Sequence, residues 1–246
     1  MGVLHLGPSG AALGTTLSQT VSVIVALTMF MKGKTGITVK KSDFKPRKET
    51  MGRLLKIGFP IAMQDGLIQV AFIIITIIAN RRGLTDAAAV GIVEKVISFL
   101  FLVPSSMLST VSALGAQNVG AGKLGRVKEG FAAGLKLIWL LCIPVVILYL
   151  VGGRYLVYLF MESPTGPAMD TALQFIKIIT PFYFVISAKL VADGVLRGAG
   201  MMKKFMIATF TDMILRVLLA KILSGTGFGT SGIWIAWPIG WSIATV

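Results

Sequence analysis

Apolar residues in this chain gather into runs longer than a soluble core requires. They dominate residues 10–31, 56–79, 87–115, 130–151, 171–196 and 204–223, and a further run begins near 231 and reaches Val246. A helix needs about 20 mostly apolar residues to cross the hydrocarbon core of a bilayer. The pattern therefore predicts an all-α membrane protein, a polytopic bundle of six spans and a clipped seventh. Prolines punctuate the runs. Pro60 falls in the first turns of the second, where a missing N–H is tolerated. Pro144 lies in the middle of the fourth and predicts a kink, and Pro181 lies within the fifth. After the fourth run, residues 154–160 read as a short helix lying on the outer interface, with Tyr155 and Tyr158 at headgroup level.

Composition strengthens this picture. Hydrophobic residues make up 55% of the 246 and charged residues 14%, with mean hydropathy +0.84, whereas soluble domains average about 45–50% and about 25%. The 28 glycines suit close helix approach in lipid. A net charge of +14 would suggest nucleic acid in a soluble protein. Here the charges sit in the gaps between apolar runs, which excludes a nucleic-acid partner and makes them topology determinants. Fifteen basic residues, from Lys32 to Lys56, at 123–128 and at 197–204, fall on one side. Only Arg81, Arg82, Arg154 and Lys221 fall on the other. The rich side is expected in the cytoplasm, so the first span runs inward from outside, and a preceding segment is expected. Met1–Leu6 has no basic stretch ahead of an apolar core, so no signal peptide is expected.

Ionisable groups in lipid cost about 2.5–3.5 kcal/mol on insertion scales and default to function. Asp65, with Gln64 beside it and Gln69 on the same helical face, lies in the second span. Glu94 and Lys95 lie in the third. Lys189, Asp193 and Arg197 follow one another at four-residue steps in the fifth, on one face, with the acid between two cations. Asp212 and Arg216 repeat the four-residue spacing in the sixth and read equally as a structural pair. Lys136 and Lys177 lie near span ends, where they can snorkel to the interface. Cys142 and His5, the only residues of their kinds, read as packing groups and supply neither a metal site nor a nucleophilic triad. Gly120-Ala121-Gly122-Lys123 lacks the first glycine and the closing Ser or Thr of a phosphate loop. No enzyme chemistry is expected.

Gly7-Pro8-Ser9-Gly10 and Gly229-Thr230-Ser231-Gly232 open the first and last runs alike, which hints at a long repeat ending in the same kind of helix. Four segments then carry a resemblance. Residues 115–123 (GAQNVGAGK) with Arg126 resemble the GQNxGAGxxxRA turn of the MATE (multidrug and toxic compound extrusion) transporters. Leu196-Arg197-Gly198-Ala199-Gly200 resembles their LRGAG, residues 55–62 (LKIGFPIA) their LKIGLPIA, and Gly232-Ile233-Trp234 the start of their GIWGIW. These cover nearly the whole chain in the family's order.

The resemblance implies helices six to twelve of a two-lobe, twelve-helix transporter. Residues 1–31 would be the last helix of an N-terminal lobe missing here, 32–55 a basic cytoplasmic linker, and 56–246 the C-terminal six-helix lobe with its last helix truncated. It implies secondary active efflux of cationic or amphipathic drug-like compounds from the cell across the plasma membrane, as an antiport against Na⁺ or H⁺ without another cofactor. The ion or substrate residues would be Asp193, Asp65, Glu94, Gln64, Gln69, Lys189 and Arg197, with Na⁺ at Asp193 as the one metal. Asp65 lies nearer its helix start than the family's usual glutamate. Two other readings stand beside it. One is a flippase for lipid-linked oligosaccharides or polysaccharides, which would use Lys95, Lys189, Arg197 and Arg216 on a pyrophosphate. The other is an inactive membrane fragment.

Overall fold

The computed structural model describes residues 7–32, 45–81, 83–161 and 166–245. In chain order the helices are α1 (Gly7–Met31), α2 (Lys48–Asn80), α3 (Leu84–Leu100), α4 (Leu102–Gly120), α5 (Leu124–Tyr158), α6 (Pro167–Ile179), α7 (Tyr183–Gly198), α8 (Met202–Ser224) and α9 (Thr230–Thr245). A single 3₁₀ turn, Thr180–Phe182, joins α6 to α7. There is no strand among the described residues. The chain divides into two compact units, Met1–Leu54 and Leu55–Val246. In the first, α1 presents Leu13, Leu17, Val21 and Ile24 as exposed side chains. The second holds the core and everything that follows.

Length and apolarity alone identify four described helical segments able to cross a membrane, and a fifth when α3 and α4 are counted as one bent span. The predicted third span is this bent pair, broken at Phe101 by 44°. Pro104 explains the break. It has no N–H to give the carbonyl four residues earlier, and its ring crowds that carbonyl. The carbonyl belongs to Leu100, and it is satisfied from another helix, by the Tyr183 hydroxyl at 2.8 Å. Pro181 lies in the 3₁₀ turn of the predicted fifth span, which still counts as one membrane-length segment, Pro167–Gly198.

Three boundaries differ from expectation. α2 begins at Lys48, so Pro60 lies inside it rather than in its first turns. α5 runs from Leu124 to Tyr158, 35 residues, past both ends of the expected 130–151 run, with Pro144 inside it. It also absorbs the segment expected as a separate interfacial helix, because residues 154–158 continue its hydrogen bonding and Val157 is buried while Tyr155 stays exposed. α9 is only 16 residues long, and α8 carries Lys203, Lys204, Asp212, Arg216 and Lys221 along its length.

The motif segments 115–123 and 196–200 turn out to be two copies of one local device. Each helix ends in a glycine with positive φ, Gly122 at 71° and Gly200 at 70°. The next N–H reaches back five residues, Lys123 to the Asn118 carbonyl and Met201 to the Leu196 carbonyl, both at 2.8 Å. That is the glycine-capped helix end that satisfies orphan carbonyls.

α4 and α7 then pack without side chains between them. A Cβ on Gly194 would stand 2.7 Å from the Leu108 carbonyl oxygen, and one on Gly198 would strike that of Ser112. Small residues four apart permit such contact in lipid. The core is closed by α9, whose Trp234, Trp237 and Trp241 recur at helical spacing and are buried. Phe175 meets Trp234 edge-on at 5.0 Å and Phe72 meets Trp237 at 5.3 Å.

Candidate functional site

The face of α7 predicted to bear Lys189, Asp193 and Arg197 turns into the bundle. Lys189 Nζ donates to Asp193 Oδ2 at 2.8 Å, with side chains 5% and 3% exposed. Arg197 shares that face but makes no ion pair with Asp193. Its Nη2 donates instead to Gln64 Oε1 on α2, and Gln64 Nε2 donates to Thr209 Oγ1 on α8 at 3.3 Å. The Arg197 guanidinium lies 4.7 Å over the ring of Phe205. Arg197 thereby ties three helices together.

A second pair lies on α8. Arg216 Nη2 donates to Asp212 Oδ2 at 2.6 Å, and the guanidinium lies over Trp237 at 4.8 Å and Trp241 at 5.9 Å. Such stacking is favourable when desolvated. Asp212 Oδ1, Arg197 Nε and Arg216 Nε are buried and make no hydrogen bond within the protein. Gly240 fits against this acid, since a Cβ there would be 2.7 Å from Asp212 Oδ1.

Both pairs border one cavity of about 370 Å³. Three acids, Asp65, Asp193 and Asp212, and three cations, Lys189, Arg197 and Arg216, line it, so its lining charges balance, and Phe72, Phe101, Trp237 and Trp241 supply aromatic wall. Of the residues singled out from sequence, Gln64, Lys189, Asp193 and Arg197 meet here, and Asp65 joins them as an exposed residue of the lining. Gln69 and Glu94 are exposed and do not line the cavity, and neither does Lys95. Sequence reasoning left out Thr209, Phe205, Trp237 and Trp241, and did not place Asp212 and Arg216 beside Asp193. Only the i,i+4 spacing on α8 and the tryptophan spacing on α9 signalled them.

An all-helical bundle with membrane-length apolar helices, enclosing paired charges around a cavity, defines a polytopic membrane protein of the transporter class. The family model MatE matches residues 60–222, and the chain belongs to that family. It is 27% identical over 205 residues to "Probable multidrug resistance protein YpnP" of Bacillus subtilis, covering 83% of this chain and 45% of that protein. It is 26% identical over 197 residues to "Multidrug export protein MepA" of Staphylococcus aureus, covering 78% and 44%. The chain thus spans about half the length of the curated relatives it matches. Among solved structures, "Crystal structure of MATE in complex with MaL6" superposes with TM-score 0.88 at 21% identity, covering 98% of this chain and 55% of that one. At that identity the likeness concerns the fold.

Proposed function

We propose that this chain supplies the ion-coupling half of a multidrug exporter that exchanges H⁺ or Na⁺ for cationic or amphipathic compounds. The observation that carries the reading is the desolvated Lys189–Asp193 pair on the wall of an aromatic-lined cavity. A proton or Na⁺ taken up by Asp193 competes with the Lys189 ammonium for the same carboxylate. The freed lysine then changes the charge balance of the cavity, and an equilibrium between inward- and outward-facing forms shifts by the difference in ion affinity between them. The aromatic wall suits a flat cation through stacking and cation–π attraction.

The relatives' names, multidrug resistance and multidrug export, support the substrate class. The flippase reading is not favoured. A pyrophosphate head group needs several uncommitted cations, whereas Lys189 and Arg216 are each engaged by a carboxylate and Lys95 lies outside the cavity, which leaves Arg197 as the one of the four that lines it without a carboxylate partner.

The test is efflux of a fluorescent cationic dye from cells expressing the encoding gene whole. Asp193→Asn is expected to reach parental membrane levels and to lose gradient-driven efflux. Parental efflux by that variant would make the acid structural and sink the reading.

A further inference from the structure

The Lys189–Asp193 pair borders a second cavity that the functional reading above does not use. It measures about 330 Å³, lies against the opposite flank of α7 and is open on one side, bounded by Ala192 and Leu196 on that helix, by Lys204, Ala208 and Thr211 on α8 and by 243–245 on α9, with exposed Ile207 and Ile243 at its rim. The drug-sized cavity lies against the flank carrying Ile186, Leu190 and Arg197. Lys189 and Asp193 are the two α7 residues common to both linings. The ion pair therefore borders both spaces.

The two spaces differ in character. The first has three acids, three cations and four aromatic rings in its lining. The second has no aromatic residue in its lining, and its polar groups beyond the pair are Lys204, Thr211 and Thr245. It suits water and a small ion but offers nothing to hold a flat aromatic cation. Its position also differs. Lys204 lies in the first turn of α8 and closes the 197–204 basic turn, and 243–245 form the last described turn of α9. The positive-inside rule assigns that end of the bundle to the cytoplasm.

We propose that this second cavity is the cytoplasmic route by which the coupling cation reaches and leaves Asp193, separate from the path of the exported compound. The proposal rests on the antiport reading above and adds the route. An exchanger gains from such separation. If the cation leaves through the space the drug enters, the two compete for room as well as for charge. With two doors onto one carboxylate, they communicate through the Lys189–Asp193 bond. Ala192 and Ala208, both half-buried, keep the route open, since larger side chains at either position project into it.

Cysteine chemistry can test this in the whole protein once any cysteine outside this chain is replaced, because the one cysteine of this chain, Cys142, is buried. Ala208→Cys and, as the drug-cavity counterpart, Ser105→Cys are treated with a small cationic methanethiosulfonate from the cytoplasmic side of everted vesicles. At 208 the expected result is modification that saturating dye does not slow, loss of gradient-driven transport, unchanged equilibrium dye binding, and recovery on reduction of the mixed disulfide. At 105 modification is expected to be slowed by dye. Protection of position 208 by dye, transport that survives its modification, or failure of the reagent to reach it would each overturn the separate route. Asp193→Asn, run alongside, separates the two ideas. If it retains coupled transport, the antiport reading itself has failed. If it loses coupled transport while modification at 208 does no harm, only the route has failed.

Discussion

Asp212 and Arg216 are each 9% exposed at the side chain and satisfy one another through a single 2.6 Å contact, while Asp212 Oδ1 and Arg216 Nε make no hydrogen bond in the protein. Removing one member of such a pair leaves an uncompensated buried charge, typically costing about 3–5 kcal/mol, whereas replacing both with apolar or neutral groups is often nearly neutral. Arg216→Met is therefore expected to lower the thermal midpoint sharply, and also to forfeit the stacking on Trp237 and Trp241. Adding Asp212→Asn should recover much of the loss. The measurement is thermal unfolding of the detergent-solubilised protein for both single variants and the double. Additive destabilisation would show that the two side chains do not depend on one another. Asp193 differs from Asp212 in one respect that the proposed ion exchange uses: its pair lines two cavities.

At the scale of the helix, the contact between α4 and α7 is made by backbone against backbone. Lipid tails offer no hydrophobic drive for helix association, so van der Waals contact across small residues carries it. Gly198→Ala introduces a methyl group where the Ser112 carbonyl and the Ala116 nitrogen already stand. Overpacking of this kind costs about 1–3 kcal/mol. Gly91→Ala on α3 meets nothing within 4 Å and is expected to leave stability unchanged or slightly raised, since alanine is the better helix former. Comparing the thermal midpoints of the two variants tests this. Equal effects would mean that the α4–α7 contact is looser than described. Because α7 bears Lys189, Asp193 and Arg197, Gly198→Ala should also reduce transport, and by more than its stability loss if α7 must slide on α4.

For the molecule as a whole, the distribution of basic residues fixes an expected orientation. Lys128 lies in the first turns of α5 and Asp170 in the first turn of α6, both exposed. Positive-inside bias places the former in the cytoplasm and the latter outside. In intact cells, an impermeant thiol reagent should label Asp170→Cys and spare Lys128→Cys. The reverse pattern would invert the orientation and with it the cytoplasmic assignment of the second cavity.

Sequence by itself determined the solvent, the class and the family. Apolar runs of membrane length, basic residues clustered in the gaps and the ordered 55–62, 115–123, 196–200 and 232–234 segments follow from local composition, and local composition is what a bilayer and a helix cap select. It also placed Lys189, Asp193 and Arg197 on one face, because a helix repeats every 3.6 residues wherever it lies. It could not say what that face meets. Arg197 finds Gln64, 133 positions away, Arg216 finds Trp237 and Trp241 on another helix, and Tyr183 satisfies the carbonyl released by Pro104. Glu94 and Asp193 both read as acids within spans, yet one is exposed and the other 2% exposed. The rotation of each helix about its axis decides between those fates, and that rotation is set by which neighbours pack against it, through the glycines of α7 and the tryptophans of α9.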